Sequence, residues 1–265
     1  MNKTLVLSLA ALVCGVAEAR AQARDAEAPA AGWVEITHGA RTVHAWLARP
    51  EGEGPFPAII VIHQNRGSSE WSRSVADRIA GLGYLALAPD LLSGMAPGGG
   101  NTADFADPDA ARDAIGRLPG EQVMADLNAV ADYLKSHPDG DGRVSVSGFC
   151  WGGSRTFALA AARPDLEAAY VFYGTGPQEA AAYANVGARV YGFYGGADNR
   201  VNATIDASQA AMVAAGKTYQ PVIYDGAGHG FMQSGESAGE GDANHTAMEA
   251  AWRRWRALLA EAGRG

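Results

Sequence analysis

The stretch Ser147-Gly148-Phe149-Cys150-Trp151-Gly152-Gly153 joins a strand-like run, Arg143–Ser147, to an alanine-rich helical pattern, Gly152–Arg163. It has the form of the G-x-S-x-G turn between a strand and a helix, with cysteine in the nucleophile position. Glycines flank the turn because the two backbones must approach each other closely. The start of a helix carries partial positive charge, which favours a thiolate over a thiol. The stretch therefore predicts a reactive Cys150, although a glycine-flanked turn around a buried, inert cysteine is also compatible with it.

Around this turn, apolar strand-like runs alternate with amphipathic helical patterns. Continuous apolar runs are typical of strands covered on both faces, and the alternation predicts a mostly parallel sheet with helices on both sides. The fold class is therefore α/β, and residues 33–265 are predicted to form a single domain. The predicted strands are Trp33–Thr37 and Thr42–Ala48 as an antiparallel edge pair, then Pro57–His63, Tyr84–Pro89, Arg143–Ser147, Ala168–Tyr173, Arg189–Gly195 and Tyr219–Asp225. The main predicted helices are Ser69–Leu82, Glu121–His137, Gly152–Arg163, Ala203–Ala215 and Ala243–Glu261.

Two residues downstream of Cys150 are positioned to complete a catalytic triad. Asp198 follows the predicted strand Arg189–Gly195, and His229 follows the predicted strand Tyr219–Asp225. Open α/β sheets place their ligands at the carboxyl ends of parallel strands, so all three side chains are expected at one edge. Asp198 as a simple helix cap, and His229 as a surface residue of a glycine-rich loop, are the alternatives.

Composition and charge exclude several classes of protein. The 265 residues are 48% hydrophobic and 19% charged, which is too apolar for a disordered chain. The formal net charge of -8 argues against a nucleic-acid partner, which needs a basic face. No pair of the remaining histidines has zinc-ligand spacing with a third ligand, so we predict neither a metal nor a cofactor.

The N-terminus has the features of a secretory signal peptide. Lys3 precedes an apolar run over 4–15, and small-x-small sites follow it, which predicts a signal peptide over residues 1–21. Residues 22–32 are then expected to form a flexible tail. The sequence predicts an exported protein, periplasmic or secreted, without a membrane anchor after signal removal. Cys14 leaves with the signal, so Cys150 has no internal disulfide partner.

The chain resembles the dienelactone hydrolase (carboxymethylenebutenolidase) family of the α/β-hydrolase fold over roughly residues 33–262. The residues that carry the resemblance are Gly148-Phe149-Cys150-Trp151-Gly152-Gly153, Gly196-Ala197-Asp198, Gly228-His229-Gly230-Phe231, Ala88-Pro89-Asp90-Leu91 and His63-Gln64-Asn65-Arg66-Gly67. The resemblance implies a Cys150–His229–Asp198 triad that cleaves a small ester or lactone through a thioester. It also implies an oxyanion hole made by the backbone amides of Trp151 and Asn65.

The chain departs from the family pattern at the substrate end of the site. Gln64 stands where the family commonly has a glutamate that helps ionise the cysteine, and a glutamine cannot take a proton. Gly94 and Gln233 stand where two substrate-binding arginines are found, which argues against dienelactone itself as the substrate. Arg66 is a candidate replacement, and a solvent-exposed loop arginine is the alternative. The predicted substrate pocket consists of Gln64, Arg66, Phe149, Phe231 and Met232, whose aromatic and sulfur-containing members are equally compatible with core positions.

Two other functions are compatible with the sequence. One is a binding protein on a decayed hydrolase scaffold, in which Cys150 could be replaced without loss of function. A thiol-based redox or acyl-transfer protein would use the same thiolate for different chemistry. The segment 95–120 is compatible with a lid or with a surface loop, and the sequence leaves the oligomeric state open.

Overall fold

A computed structural model describes residues 31–263 of the chain. The predicted signal peptide and most of the predicted tail lie outside the described residues. The prediction of a tail reaching residue 32 is wrong at its end, because the first strand begins at Ala31. Ala31 and Gly32 pair with Ala48 and Leu47 of the next strand, so their backbone groups are already in the sheet.

The core of the described chain is one sheet of eight strands in the order β1-β2-β4-β3-β5-β6-β7-β8. β1 is antiparallel to β2 and β2 is antiparallel to β4, whereas the six strands from β4 through β3, β5, β6 and β7 to β8 run parallel to one another. The mostly parallel α/β sheet predicted from the sequence is thereby confirmed. The strands are β1 (Ala31–His38), β2 (Arg41–Ala48), β3 (Phe56–Ile62), β4 (Leu85–Pro89), β5 (Gly140–Phe149), β6 (Ala168–Phe172), β7 (Arg189–Gly195) and β8 (Tyr219–Tyr224).

Helices cover both faces of the sheet. α1 and α8 pack on one face, where Val75 and Trp255 are buried against the strands. α3, α4 and α6 pack on the other face, where Leu127, Phe157 and Met212 are buried. The helices are α1 (Glu70–Ala80), α2 (Pro108–Arg117), α3 (Gly120–Ser136), α4 (Trp151–Ala162), α5 (Asn199–Asn202), α6 (Ile205–Ala214), α7 (Phe231–Ser237) and α8 (Ala243–Ala262).

The segment 95–120 is tied to the end of β4 by a buried aspartate. Both carboxylate oxygens of Asp90 accept from Thr102, one from its backbone N–H at 2.9 Å and one from its hydroxyl at 2.6 Å. Further along, α2 buries Ala111, Ala114 and Ile115 in a small cluster with Leu92. Since Asp90 is 1% exposed, this attachment holds the segment against the domain as a packed surface element.

Candidate active site

The turn between β5 and α4 presents Cys150 in a strained backbone conformation. Cys150 has φ 59° and ψ -117°, a region that side-chain-bearing residues rarely occupy. A Cβ on Gly148 would press on the Gly152 carbonyl oxygen and lie 2.6 Å from the Gly152 carbonyl carbon, and a Cβ on Gly152 would lie 2.6 Å from the Ile62 carbonyl oxygen. Both flanking glycines are therefore required by close backbone approach, which is the geometry inferred from the sequence motif.

The structure brings Asp198 and His229 together with Cys150 at the carboxyl ends of β7, β8 and β5. The Cys150 thiol lies 3.0 Å from His229 Nε2, and His229 Nδ1 lies 2.5 Å from Asp198 Oδ2. Because the carboxylate accepts from Nδ1–H, the other ring nitrogen is free to accept the thiol proton. The other carboxylate oxygen, Oδ1, accepts from the Val201 N–H at 3.4 Å. Asp198 thus caps the short helix α5 and orients His229 at the same time.

The surroundings of Cys150 favour its thiolate. Burial raises the pKa of the thiol, but the hydrogen bond and charge of His229 lower it, and so do the Trp151 amide and the Arg200 charge, so that the net pKa lies below its ordinary value. The pKa of His229 is raised, chiefly by its hydrogen bond to Cys150, against an opposing effect of burial and with support from Asp198. The two shifts together favour an ion pair in which the proton of the thiol has moved to His229 Nε2. Because the two groups interact strongly, their titration belongs to the pair and not to either residue alone.

The predicted oxyanion donors flank the thiol from two different segments. Trp151 is the first residue of α4, and its backbone amide is one of the groups that lower the pKa of the Cys150 thiol. Asn65 follows β3, the strand next to β5 in the sheet, and lines the same cleft as Cys150. Trp151 and Asn65 thus belong to two different segments next to Cys150.

A cleft of about 540 Å³ opens above the triad. Most of its lining residues have polar side chains, and the amide Nε2 of Gln64 donates to Oε1 of Gln233 at 2.8 Å across it. This uncharged pair occupies the two positions where the family resemblance implies an acid and an arginine. The cleft is lined by Gln64, Asn65, Cys150, Arg200, His229, Gly230, Gln233, Ser234 and Ser237.

The structure corrects four of the predicted pocket residues. Phe149, Phe231 and Met232 have no exposed surface and belong to the core beneath the sheet edge, where Phe149 stacks on Phe172 with 4.6 Å between ring centroids. These apolar side chains are next to the triad residues in sequence, but they pack into the core on one face of the sheet and do not reach the cleft. Arg66 points away from the cleft toward Asp109, at 3.5 Å, and its side chain is 58% exposed. Only Gln64 of the predicted pocket set lines the cleft.

Five cleft residues were not predicted to be functional, namely Arg200, Gly230, Gln233, Ser234 and Ser237. Arg200 lies two residues after Asp198, and Ser234 and Ser237 lie on α7, a short helix absent from the sequence prediction. Arg200 had a signal in the sequence, namely its closeness to the candidate acid in the loop after a buried strand. The serines had none, since α7 begins after the left-handed Gly230 without a side-chain cap.

Comparison with known proteins places this site in a family. The sequence profile described as the Dienelactone hydrolase family matches residues 43–263. The chain belongs to the dienelactone hydrolase family. A protein of Methylorubrum extorquens that is provisionally named a carboxymethylenebutenolidase is 35% identical over 240 residues, covering 86% of this chain and 81% of the relative. A protein of Escherichia coli O157:H7 with the same provisional name is 35% identical over 217 residues, covering 77% of this chain and 79% of the relative.

The structural comparison agrees with the sequence comparison. The crystal structure of a provisionally assigned dienelactone hydrolase from Klebsiella pneumoniae has a TM-score of 0.75 and 31% identity, covering 87% of this chain and 98% of the other. The predicted family and the α/β-hydrolase fold are confirmed, and the chain is a hydrolase of the dienelactone hydrolase family.

Two general properties of the described chain complete the description of the site. Within residues 31–263, no three His, Cys, Asp or Glu side chains gather in a way that would hold a metal ion. Over the same residues, no helix combines the length and the apolar character that crossing a membrane requires.

Proposed function

We propose that this dienelactone hydrolase family member cleaves a small ester or lactone with Cys150 as the nucleophile, His229 as the base and Asp198 as the orienting acid. The observation that carries the proposal is the continuous hydrogen-bonded chain from the thiol through the imidazole to the carboxylate. The strained nucleophile between two glycines supports it, because such outliers are maintained where chemistry requires them.

The mechanism follows from the positions of these groups. His229 Nε2 takes the thiol proton, and the thiolate forms a bond to the carbonyl carbon of the substrate. The amides of Trp151 and Asn65 stabilise the negative oxygen of the tetrahedral intermediate. The carbon–oxygen bond of the ester then breaks, and the imidazolium returns its proton to the leaving alkoxide. Water, deprotonated by His229, attacks the thioester, releases the acid and restores the thiol.

The cleft indicates a small and polar substrate. Its volume of about 540 Å³ is that of a site for a small organic molecule, and amide and hydroxyl groups line it. The relatives named carboxymethylenebutenolidase and dienelactone hydrolase favour an ester or lactone. Because the Gln64–Gln233 pair is uncharged, we propose that the substrate differs from dienelactone.

We also propose that the protein is exported. The support for this is in the sequence alone: Lys3, the apolar run over 4–15 and the small-x-small sites that follow it are typical of a cleavable signal. Fractionation of the native host, with mass spectrometry of the N-terminus of the recovered protein, tests this part of the proposal.

The catalytic proposal is tested by hydrolysis of short-chain aryl esters and small lactones by the wild-type chain and by the Cys150→Ala variant. We expect activity in the wild type and a loss of at least about 1,000-fold in the variant, because removal of the nucleophile removes the covalent route. Arg66→Gln is the matched control, since this exposed residue lies outside the cleft. Acid quenching and mass spectrometry should detect an acyl group on Cys150. Equal activity of wild type and Cys150→Ala would refute the assignment.

Three experiments separate this proposal from the alternatives. A decayed scaffold that only binds ligand has no need of an intact hydrogen-bonded triad, and it would bind unchanged with Cys150→Ala. A redox protein would accumulate sulfenic acid in place of an acyl adduct under mild peroxide. Acyl transfer would appear as consumption of the acyl-enzyme by added alcohols in preference to water.

A further inference from the structure

His63 is a buried histidine that lies next to the active site without lining the cleft. It follows β3 directly and precedes Gln64 and Asn65, and it is 1% exposed. The triad does not use it, and the proposed mechanism requires no proton from it. Its ring nevertheless makes specific contacts to two of the segments that surround the thiol.

The ring nitrogens of His63 hold two backbone groups. Nδ1 lies 2.7 Å from the carbonyl oxygen of Gln64, and Nε2 lies 3.3 Å from the backbone N–H of Leu91. A backbone N–H is only a donor, so Nε2 must accept and Nδ1 must carry the hydrogen that is donated to Gln64. Burial lowers the pKa of His63, with Asp90 and the Gln64 carbonyl opposing it, so the ring stays in this neutral form.

The carbonyl that His63 holds belongs to the same peptide plane as the backbone N–H of Asn65. A trans peptide bond is planar, and its C=O and N–H point in opposite directions. Among the described residues the one cis bond is Gly54–Pro55, so the Gln64–Asn65 bond is trans. Fixing the carbonyl oxygen on the His63 side therefore directs the Asn65 amide away from His63.

The same ring also contacts the other half of the proposed oxyanion hole. It stacks on the indole of Trp151, with 5.6 Å between ring centroids and 9° between the planes. The backbone carbonyl of His63 lies against Gly152, at a position that a Cβ on Gly152 would overlap. One residue thus links the turn carrying Asn65 to the start of α4, where the Trp151 amide lies.

We propose that His63 is a positioning residue that sets the direction of the Asn65 amide by holding the carbonyl of the Gln64–Asn65 peptide. The inference rests on the proposed function, because it concerns the oxyanion hole of that reaction. An apolar ring of similar size would fill the same space and stack on Trp151. It would leave the Gln64 carbonyl and the Leu91 amide unpaired, and the peptide free to rotate.

The test separates the oxyanion hole from the nucleophile. His63→Phe keeps an aromatic ring beside Trp151 and removes both nitrogens, whereas His63→Asn keeps a donor close to the position of Nδ1. Each variant is assayed for ester hydrolysis and for alkylation of Cys150 by iodoacetamide. Alkylation depends on the thiolate and forms no oxyanion, so a defect limited to the oxyanion hole leaves it unchanged. Tyr84→Phe is the control, since it removes a buried hydrogen bond to Leu259 elsewhere in the fold.

We expect His63→Phe to lower kcat for ester hydrolysis by about 100- to 1,000-fold, the usual effect of losing one oxyanion donor, with little change in KM. The rate and pH midpoint of alkylation should stay at wild-type values, and His63→Asn should recover at least tenfold of the lost kcat. Hydrolysis and alkylation falling in parallel would overturn the proposal, and so would a His63→Phe enzyme within threefold of wild type.

A crystal structure of His63→Phe gives a readout that does not depend on activity. We expect the Gln64 carbonyl to leave its present position and the Asn65 amide to turn from the cleft. An unchanged peptide plane would overturn the role of His63 even if the chain proved inactive on every ester. By contrast, a rotated plane in a protein without Cys150-dependent hydrolysis would support the role of His63 and refute the proposed function.

Discussion

The close approach of β5 and α4 at Gly148 gives a quantitative prediction. In Gly148→Ala the new Cβ would lie 2.5 Å from Thr156 Oγ1 and 2.6 Å from the Gly152 carbonyl carbon, about 0.8 Å closer than the 3.4 Å at which ordinary contact begins. The Gly152 atoms are backbone and cannot rotate away, so the strand and helix must separate. Overpacking of this kind costs about 1–3 kcal/mol, and we expect a value near the upper end.

Thermal unfolding followed by circular dichroism measures this cost. For a chain of this length each kcal/mol lowers the Tm by about 2–4 °C, so Gly148→Ala should unfold about 6–12 °C below the wild type. Gly116→Ala is the matched control, because Gly116 is exposed on α2 and a Cβ there meets nothing within 4 Å. Alanine should stabilise that helix by about 0.5 kcal/mol and leave the Tm equal or slightly higher. A Gly148→Ala variant within 2 °C of the wild type would refute the close-approach argument.

Three further predictions concern other buried contacts. In His229→Ala the groups that lower the Cys150 pKa most are lost while burial, which raises it, remains, so the pH midpoint of iodoacetamide alkylation should move upward; a midpoint that stays in place contradicts the ion pair. Asp126 is fully buried, and Arg41 Nε donates to both of its carboxylate oxygens at 2.8 Å. Asp126→Asn should therefore cost about 2 kcal/mol, with a Tm lower by about 4–8 °C, and an unchanged Tm would argue against this pair. Tyr84→Phe removes a buried hydroxyl donor at 2.7 Å from its acceptor and should lower the Tm by about 2–4 °C, whereas a stabilised variant would contradict this.

The sequence predicted the framework because strand burial has a strong local signal. The run of apolar residues from Ala58 to Ile62 is fully buried on both faces, as continuous apolar runs predict. The start of α1 was equally readable, since Ser69 caps it and Ser72 completes the capping box. Both patterns depend only on residues that are close together in the sequence. Patterns of this kind were sufficient to predict where the strands that precede the candidate triad residues end.

The composition of the cleft could not be predicted in the same way. Phe231 follows His229 by two residues, yet its ring packs 5.4 Å from the ring of Tyr173 in the core, and no local pattern distinguishes a core aromatic from a pocket aromatic. Arg66 and Arg200 each lie a few residues after a strand, Arg66 in a loop and Arg200 in the short helix α5, and only the path of each segment decides which arginine enters the cleft. Such choices depend on contacts between distant segments, which a periodic pattern does not encode.

Gln64 bears on how the nucleophile is ionised in this chain. A carboxylate at this position could take the proton of the thiol, whereas a glutamine amide cannot. The amide of Gln64 carries no charge and is already engaged with Gln233. His229, the Trp151 amide and Arg200 lower the pKa of Cys150 without a contribution from residue 64. We infer that Cys150 reaches its reactive form through groups in place before a substrate binds, so iodoacetamide should alkylate Cys150 of the ligand-free protein with a pH midpoint below that of an ordinary thiol.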